Sequence, residues 1–396
     1  MSTLETSAFT SRSAGTGQGA ILLLSSVMPV MAIISLVPIL PLLMSEFSNV
    51  PGSQFLVPMA MTIPALCVAI FSPLAGWLAD RTGRKTLLVT ALVLYAAFGI
   101  IPWFLDDLFQ IIGARVLLGT MEAAIMTVAT TLIGDYFVGE RREKWIAMQV
   151  SATSIAAIVL IAVGGFLGEM LGSRGPFLLY LLALPIALAA AIVLFEPSIG
   201  NEGSAETKVK FPYNAVLPLI ATTLGVGVVF YTIIVQLGPI LQLSGPVSPA
   251  VIGILGAAGN LSVGLGTYIF HQIKGKAGHL PLALGLALAA TGYAGAGLSG
   301  NLFVIAACAA IACVGSGIML PNMLTWTMRR LPAEMRGRGT GMWTGAFFLG
   351  QFLAPLFVAA VAGVVGGLGA ALAAIAAAVA VGAVLALMVR PKQVVA

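Results

Sequence analysis

The sequence predicts an all-α membrane protein in which twelve transmembrane helices form two pseudo-symmetric six-helix bundles. Three observations carry that reading: scarce charge, evenly spaced apolar runs, and basic residues confined to every second connection. Of 396 residues, 59% are hydrophobic and only 8% are charged. A soluble domain carries about 25% charged residues, so this surface suits lipid rather than water. About 20 apolar residues cross the hydrocarbon core, and twelve such runs with short loops use nearly the whole chain.

Residues 1–19 are polar, rich in Ser, Thr and Gly, with one acid (Glu5) and one base (Arg12). They lack the basic region of a signal peptide and are expected to form a short disordered cytoplasmic tail. Six spans follow in a bundle over 20–195, at 20–44, 55–78, 86–104, 109–133, 145–168 and 176–195. Segment 196–213 is the longest connection, with Pro197, Gly200, Gly203, three glutamates and two lysines, and is read as a cytoplasmic linker. The second bundle, 214–389, has spans at 214–240, 248–270, 279–298, 302–327, 340–362 and 367–389, and 390–396 is a cytoplasmic tail.

The basic residues test the count. Loops 79–85, 134–144, 196–213, 271–278 and 328–339, with the two tails, hold 17 of the 19 Lys and Arg. The intervening loops hold only Arg174, and Arg115 lies inside a span. By the positive-inside rule both termini face the cytoplasm, which requires an even number of spans. The net charge of +5 is thereby a matter of topology, and no nucleic-acid partner is implied. A short repeat links the halves: Glu140-x-Arg142-x-Lys144-x-x-x-Met148 and Glu334-x-Arg336-x-Arg338-x-x-x-Met342 enter spans five and eleven at an offset of 194. Repeated halves around a central site are a common way to build a transporter.

The loop after span two reads Gly76-Trp77-Leu78-Ala79-Asp80-Arg81-Thr82-Gly83-Arg84-Lys85. It resembles the signature G-x-L-a-D-r-x-G-r-k of the major facilitator superfamily, and the chain is similar to that family's twelve-helix drug:proton antiporter-like branch. Arg115-x-x-x-Gly119 in span four and Pro38-x-x-Pro41 late in span one match two further family patterns. The resemblance implies the major facilitator fold, with Gly76, Asp80, Arg81, Gly83, Arg84 and Asp135 as a latch between the halves. Gly76 is expected to let helices approach and Gly83 to permit the turn. The prolines can kink span one and free its carbonyls. The chain departs from the branch in span five, where G-x8-G-x3-G-P-x2-G-G is reduced to Gly164-Gly165. Span eleven carries Gly341-x8-Gly350-x3-Ala354-Pro355 at the same offset of 194. The small-residue, proline-bent interface is therefore expected to have moved there, unless both helices simply use small residues for packing.

Two ionisable residues lie well inside spans: Arg115 and Glu122, seven apart on one face of span four. A mid-bilayer charge costs about 2.5–3.5 kcal/mol on insertion scales, so this face should line a cavity or find partners. Glu122 is the expected proton-coupling residue and Arg115 an anchor for an anionic group, unless they neutralise one another structurally. Tyr231, Gln236, Asn260, Asn322, Trp326 and Gln351 are further candidates for substrate contact, or for interhelical hydrogen bonds. Trp343 and Phe347 suit either a greasy cavity or simple packing.

An enzyme is excluded by what the sequence lacks. Val314-Gly315-Ser316-Gly317 would need a histidine base at membrane depth, and His271 and His279 fall at a predicted loop. Cys67, Cys308 and Cys313 lie in apolar runs as packing residues, and no metal or organic cofactor is implied. The expectation is a monomeric secondary transporter of the inner membrane, working by alternating access on a small-molecule substrate. Proton-coupled efflux of an amphipathic compound is the first reading. The alternative is import or exchange of a small organic anion held by Arg115.

Overall fold

A computed structural model describes residues 14–197, 212–273, 278–331 and 335–388. The tail residues 1–13 and 389–396, the middle of the linker (198–211), Lys274 and Lys276 lie outside the described residues. Among the described residues there are eleven helical stretches long and apolar enough to cross a bilayer. The fifth, Gly139–Val193, has 55 residues, more than twice the ~20 of one crossing. It turns at Gly172, whose φ of +72° favours glycine, so it holds spans five and six and the total is twelve.

Most spans run longer than the apolar pattern alone suggests, because the polar residues at their ends continue the helix. Span two is Ser53–Thr82 and span four is Leu108–Tyr136. Two others are broken. Span one stops as an α-helix at Ile34, passes through a 3-10 turn at Val37–Ile39 and resumes at Leu40–Glu46. Pro38 and Pro41 force this, since neither can donate to a helical ladder. Span seven breaks at Gln236, between Tyr213–Val235 and Leu237–Leu241.

The halves meet along three seams: span two against span eleven, span five against span eight, and the outer part of span one against residues 237–241. At the last, Pro41 lies where a side chain on Gly238 would have to go. The five–eight seam is a close backbone approach. A Cβ on Gly165 would meet Pro249 O at 2.5 Å and Gly253 Cα at 2.9 Å. Both seams lie at the ends of the spans remote from the chain termini.

Candidate functional site

Breaks in two neighbouring helices create the site that Arg115 fills. Pro64 has no N–H, so Ala60 O in span two loses its i+4 donor. In span one, Leu36 N turns to Ile33 O (3.0 Å), which leaves Ala32 O free. Arg115, 2% exposed, answers both vacancies. Its Nε donates to Ala60 O at 3.1 Å, Nη2 to Ala32 O at 2.5 Å and Met61 O at 3.1 Å, and Nη1 to the Tyr180 hydroxyl at 2.6 Å. Tyr180 donates onward to Ala32 O at 2.9 Å. Four of five guanidinium N–H groups are engaged within the first bundle, tying spans one, two, four and six. The expected anion anchor is thus corrected: Arg115 caps carbonyls that proline freed. Gly119, one turn on, permits the approach, since a Cβ there would lie 2.6 Å from Pro64 Cα.

Glu122 is treated differently. It is 1% exposed, and its Oε2 has no hydrogen-bond partner. It forms no ion pair with Arg115, so the alternative of a self-neutralising pair is not what the structure shows. Across the boundary of the halves, Tyr231 of span seven packs against Ile33 of span one and Ala65 of span two. Tyr231 packs on Phe347 of span eleven, ring centroids 5.1 Å apart. Trp343 stacks on the same Phe347 at 5.5 Å and an interplanar angle of 6°. The buried Gln351 follows on that helix, and both its Oε1 and Trp343 Nε1 lack partners. The structure therefore gathers Tyr231 and Gln351 of the candidate residues around an aromatic cluster at the boundary of the halves, while Glu122 is buried on span four.

The remaining candidates lie elsewhere. Asn322 donates to Gly278 O at 2.7 Å, and Trp326 packs over Gly278, so both fasten the start of span nine rather than face Glu122. Gln236, buried, marks the break in span seven. Asn260 donates to Gly256 O and lines a separate apolar cavity of about 150 Å³ with Ile161, Leu237 and Cys313.

The charged cluster after span two has a definite geometry. Arg84 pairs with Asp80 at 3.2 Å and with Asp135 at the end of span four. Gly83 makes the turn at φ +94°. Glu196, read in the sequence only as one of the linker's three glutamates, accepts from Arg84 N at 2.5 Å and Lys85 N at 3.0 Å, capping span three. An acid just before Pro197, at the end of span six, was the available signal. Each of these bonds ends within the first half. Arg81 stands apart, its guanidinium 4.1 Å over the Trp77 ring. Gly76 is also corrected, because a Cβ there would meet Thr127 at an ordinary 3.8 Å.

The expected transfer of the small-residue interface to span eleven is not what the helices show. Gly164 and Gly165 of span five still make the close approaches, to Ser35 and to Pro249 and Gly253. Gly350 packs on Gly227 and Leu224 of its own half, Gly341 faces open space, and Pro355 lies within an unbroken helix.

The sequence model of the Major Facilitator Superfamily matches residues 22–355. The multi-drug resistance efflux pump PmrA of Streptococcus pneumoniae is 31% identical over 192 residues, 45% of this chain and 46% of the pump. The class B tetracycline resistance protein of Escherichia coli is 27% identical over 191 residues, 48% of this chain and 47% of that protein. The chain thus spans about half the length of the curated relatives it matches. A bacterial homologue of the human lysosomal transporter Spinster, solved in an inward-facing, occupied conformation, shares the fold. Its TM-score is 0.76 at 14% identity, covering 95% of this chain and 97% of that one.

Proposed function

The chain belongs to the major facilitator superfamily, a family of transporters rather than enzymes, and on that premise we propose that it exports an amphipathic, drug-like compound in exchange for protons, with Glu122 as the proton-coupling residue. The observation that carries this reading is the Glu122 carboxyl, buried in span four and without a partner for Oε2. A carboxylate left so is costly in apolar surroundings, and a bound proton removes the charge. Span four, which carries Glu122, packs on span two, and span two packs on span eleven of the other half, so the charge state of Glu122 is placed to bear on how the halves meet. Proton and substrate would bias alternating access through their differential affinity for its two states. The relative from Streptococcus pneumoniae, named as a multi-drug efflux pump, supports the direction, and it and the tetracycline resistance protein of Escherichia coli support a drug-like substrate. With Arg115 engaged by carbonyls, the organic-anion reading loses the anchor on which it rested. A monomer in the bacterial cytoplasmic membrane, with both termini cytoplasmic, completes the proposal; Arg84 with Asp80 and Asp135 fastens the ends of spans two, three and four within the first half and would act as a latch through the position of those spans.

The test is proton flux in proteoliposomes with an internal pH-sensitive dye. Lipophilic cations, neutral drugs and organic anions are offered in turn to wild type and to Glu122→Gln. Flux driven by cations or neutral drugs in wild type and absent in the variant is expected. Equal flux in both would make Glu122 a structural residue, and flux driven by anions alone would overturn the substrate class.

A further inference from the structure

Buried polar atoms without partners are rare in folded proteins, and each requires an explanation. Five side-chain atoms are in that state among the described residues, and two of them, Trp343 Nε1 and Gln351 Oε1, flank Phe347 on span eleven. Trp343, Phe347 and Gln351 are spaced at i, i+4 and i+8, so they form one stripe along span eleven, about 12 Å long at 1.5 Å per residue. The stripe reads donor, aromatic face, acceptor. The Trp343 indole lies nearly parallel to Phe347, while Tyr231 and Phe230 of span seven close on Phe347 from the side, at 5.1 and 5.4 Å.

A core built only for packing would place leucine at position 351 and phenylalanine at 343, leaving no donor or acceptor unpaired. The stripe instead presents one N–H and one amide oxygen at the two ends of an aromatic surface. Aromatic faces take flat rings by offset stacking, and unpaired buried groups discriminate strongly for a ligand that satisfies them. From this arrangement we infer that Trp343 and Gln351 are specificity-determining residues for a flat, elongated aromatic substrate. It lies along Phe347, accepts a hydrogen bond from Trp343 Nε1 and donates one to Gln351 Oε1. This rests on the transport reading for the site itself, and adds to it the shape and hydrogen-bonding pattern of what the site selects.

The test compares two probes in binding to purified protein. One is a flat, fluorescent bis-benzimidazole dye, which carries N–H donors and ring-nitrogen acceptors. The other is tetraphenylphosphonium, which is not flat and has no hydrogen-bonding group. Trp343→Phe keeps the aromatic face and removes only the N–H, and Gln351→Leu removes the amide. Each is expected to lower the ratio of dye to tetraphenylphosphonium affinity about tenfold, the worth of one hydrogen bond in a dry site. A dye methylated at its benzimidazole nitrogens should show no such drop in Gln351→Leu. An unchanged ratio in both variants overturns the inference, whether affinities fall together or not at all. So does failure of the dye to bind wild type. The ratio is read without proton flux, so a selective loss in a protein showing no dye-driven flux would sink proton coupling alone. Dye-driven flux with an unchanged ratio would sink this inference alone.

Discussion

If Arg115 is a capping residue, its removal must be felt in stability before transport is measured. Arg115→Ala deletes four hydrogen bonds from a charged donor at once. The wild-type bonds cannot simply be added, because Ala32 O keeps the Tyr180 hydroxyl at 2.9 Å and Met61 O keeps its place in the helical ladder. Ala60 O has no substitute, since Pro64 offers no N–H. A hydrogen bond to a charged group contributes about 1.5–3 kcal/mol. Dismantling a buried charged network costs about 3–5 kcal/mol. At roughly 2–4 °C per kcal/mol for a unit of this bundle's size, the melting temperature should fall by about 6–20 °C. Thermal unfolding of purified protein in detergent, followed by a thiol-reactive fluorophore on the buried Cys67 and Cys313, measures this. Arg115→Lys should recover only part of the loss, because a compact ammonium cannot span acceptors on spans one, two and six together. A variant that melts within about 2 °C of wild type while losing anion-driven flux would refute the argument and return Arg115 to the substrate, since effects that small are those of ordinary surface changes.

Other predictions follow from the close approaches and the charged cluster. Gly119→Ala pushes a methyl against Pro64 Cα and should cost about 1–3 kcal/mol by overpacking, read in the same melting assay. Gly165→Val props open the seam to Pro249 and Gly253. In a Ser35→Cys background, where position 35 is buried against Gly164, a membrane-impermeant maleimide should label faster, and an unaltered rate would show that this seam does not gate access. Asp135→Asn removes one of two carboxylates on Arg84. Its direct effect on stability should stay near 0–1 kcal/mol, as for other partly exposed pairs, so a large change in labelling at position 35 with little change in melting would mark a latch. Gly83→Ala should cost about 1–2 kcal/mol, because φ of +94° strains any L side chain.

The fold was legible because lipid imposes a simple rule: apolar runs must cross, and charges must stay in the loops. Span count followed from that alone, and Gly172 caused no confusion because Arg174 sits beside the turn. Helix ends were less legible, since polar residues past the hydrocarbon go on forming helix, as at Thr82 and Tyr136. Glycine roles were legible only where the backbone itself required one. Gly83 needs a positive φ, whereas Gly76 and Gly341 match a pattern without a neighbour close enough to demand it.

Span four shows where pattern reading stops and what would carry it further. Arg115 and Glu122 share one face and, by spacing alone, invite one explanation. Their fates divide because a broken helix exposes carbonyls, and carbonyls accept. Pro64 in span two and the Pro38–Pro41 break in span one put orphan acceptors beside span four. A guanidinium, all donors, is consumed by them; a carboxylate, which only accepts when ionised, has nothing to gain there. The polarity of the residue against the polarity of its neighbours' defects thus sorts the structural charge from the available one. Prolines in adjacent spans are visible in the sequence, so an intramembrane arginine facing two of them should be assigned to their carbonyls first, and an acid on the same face kept as the group free to exchange a proton.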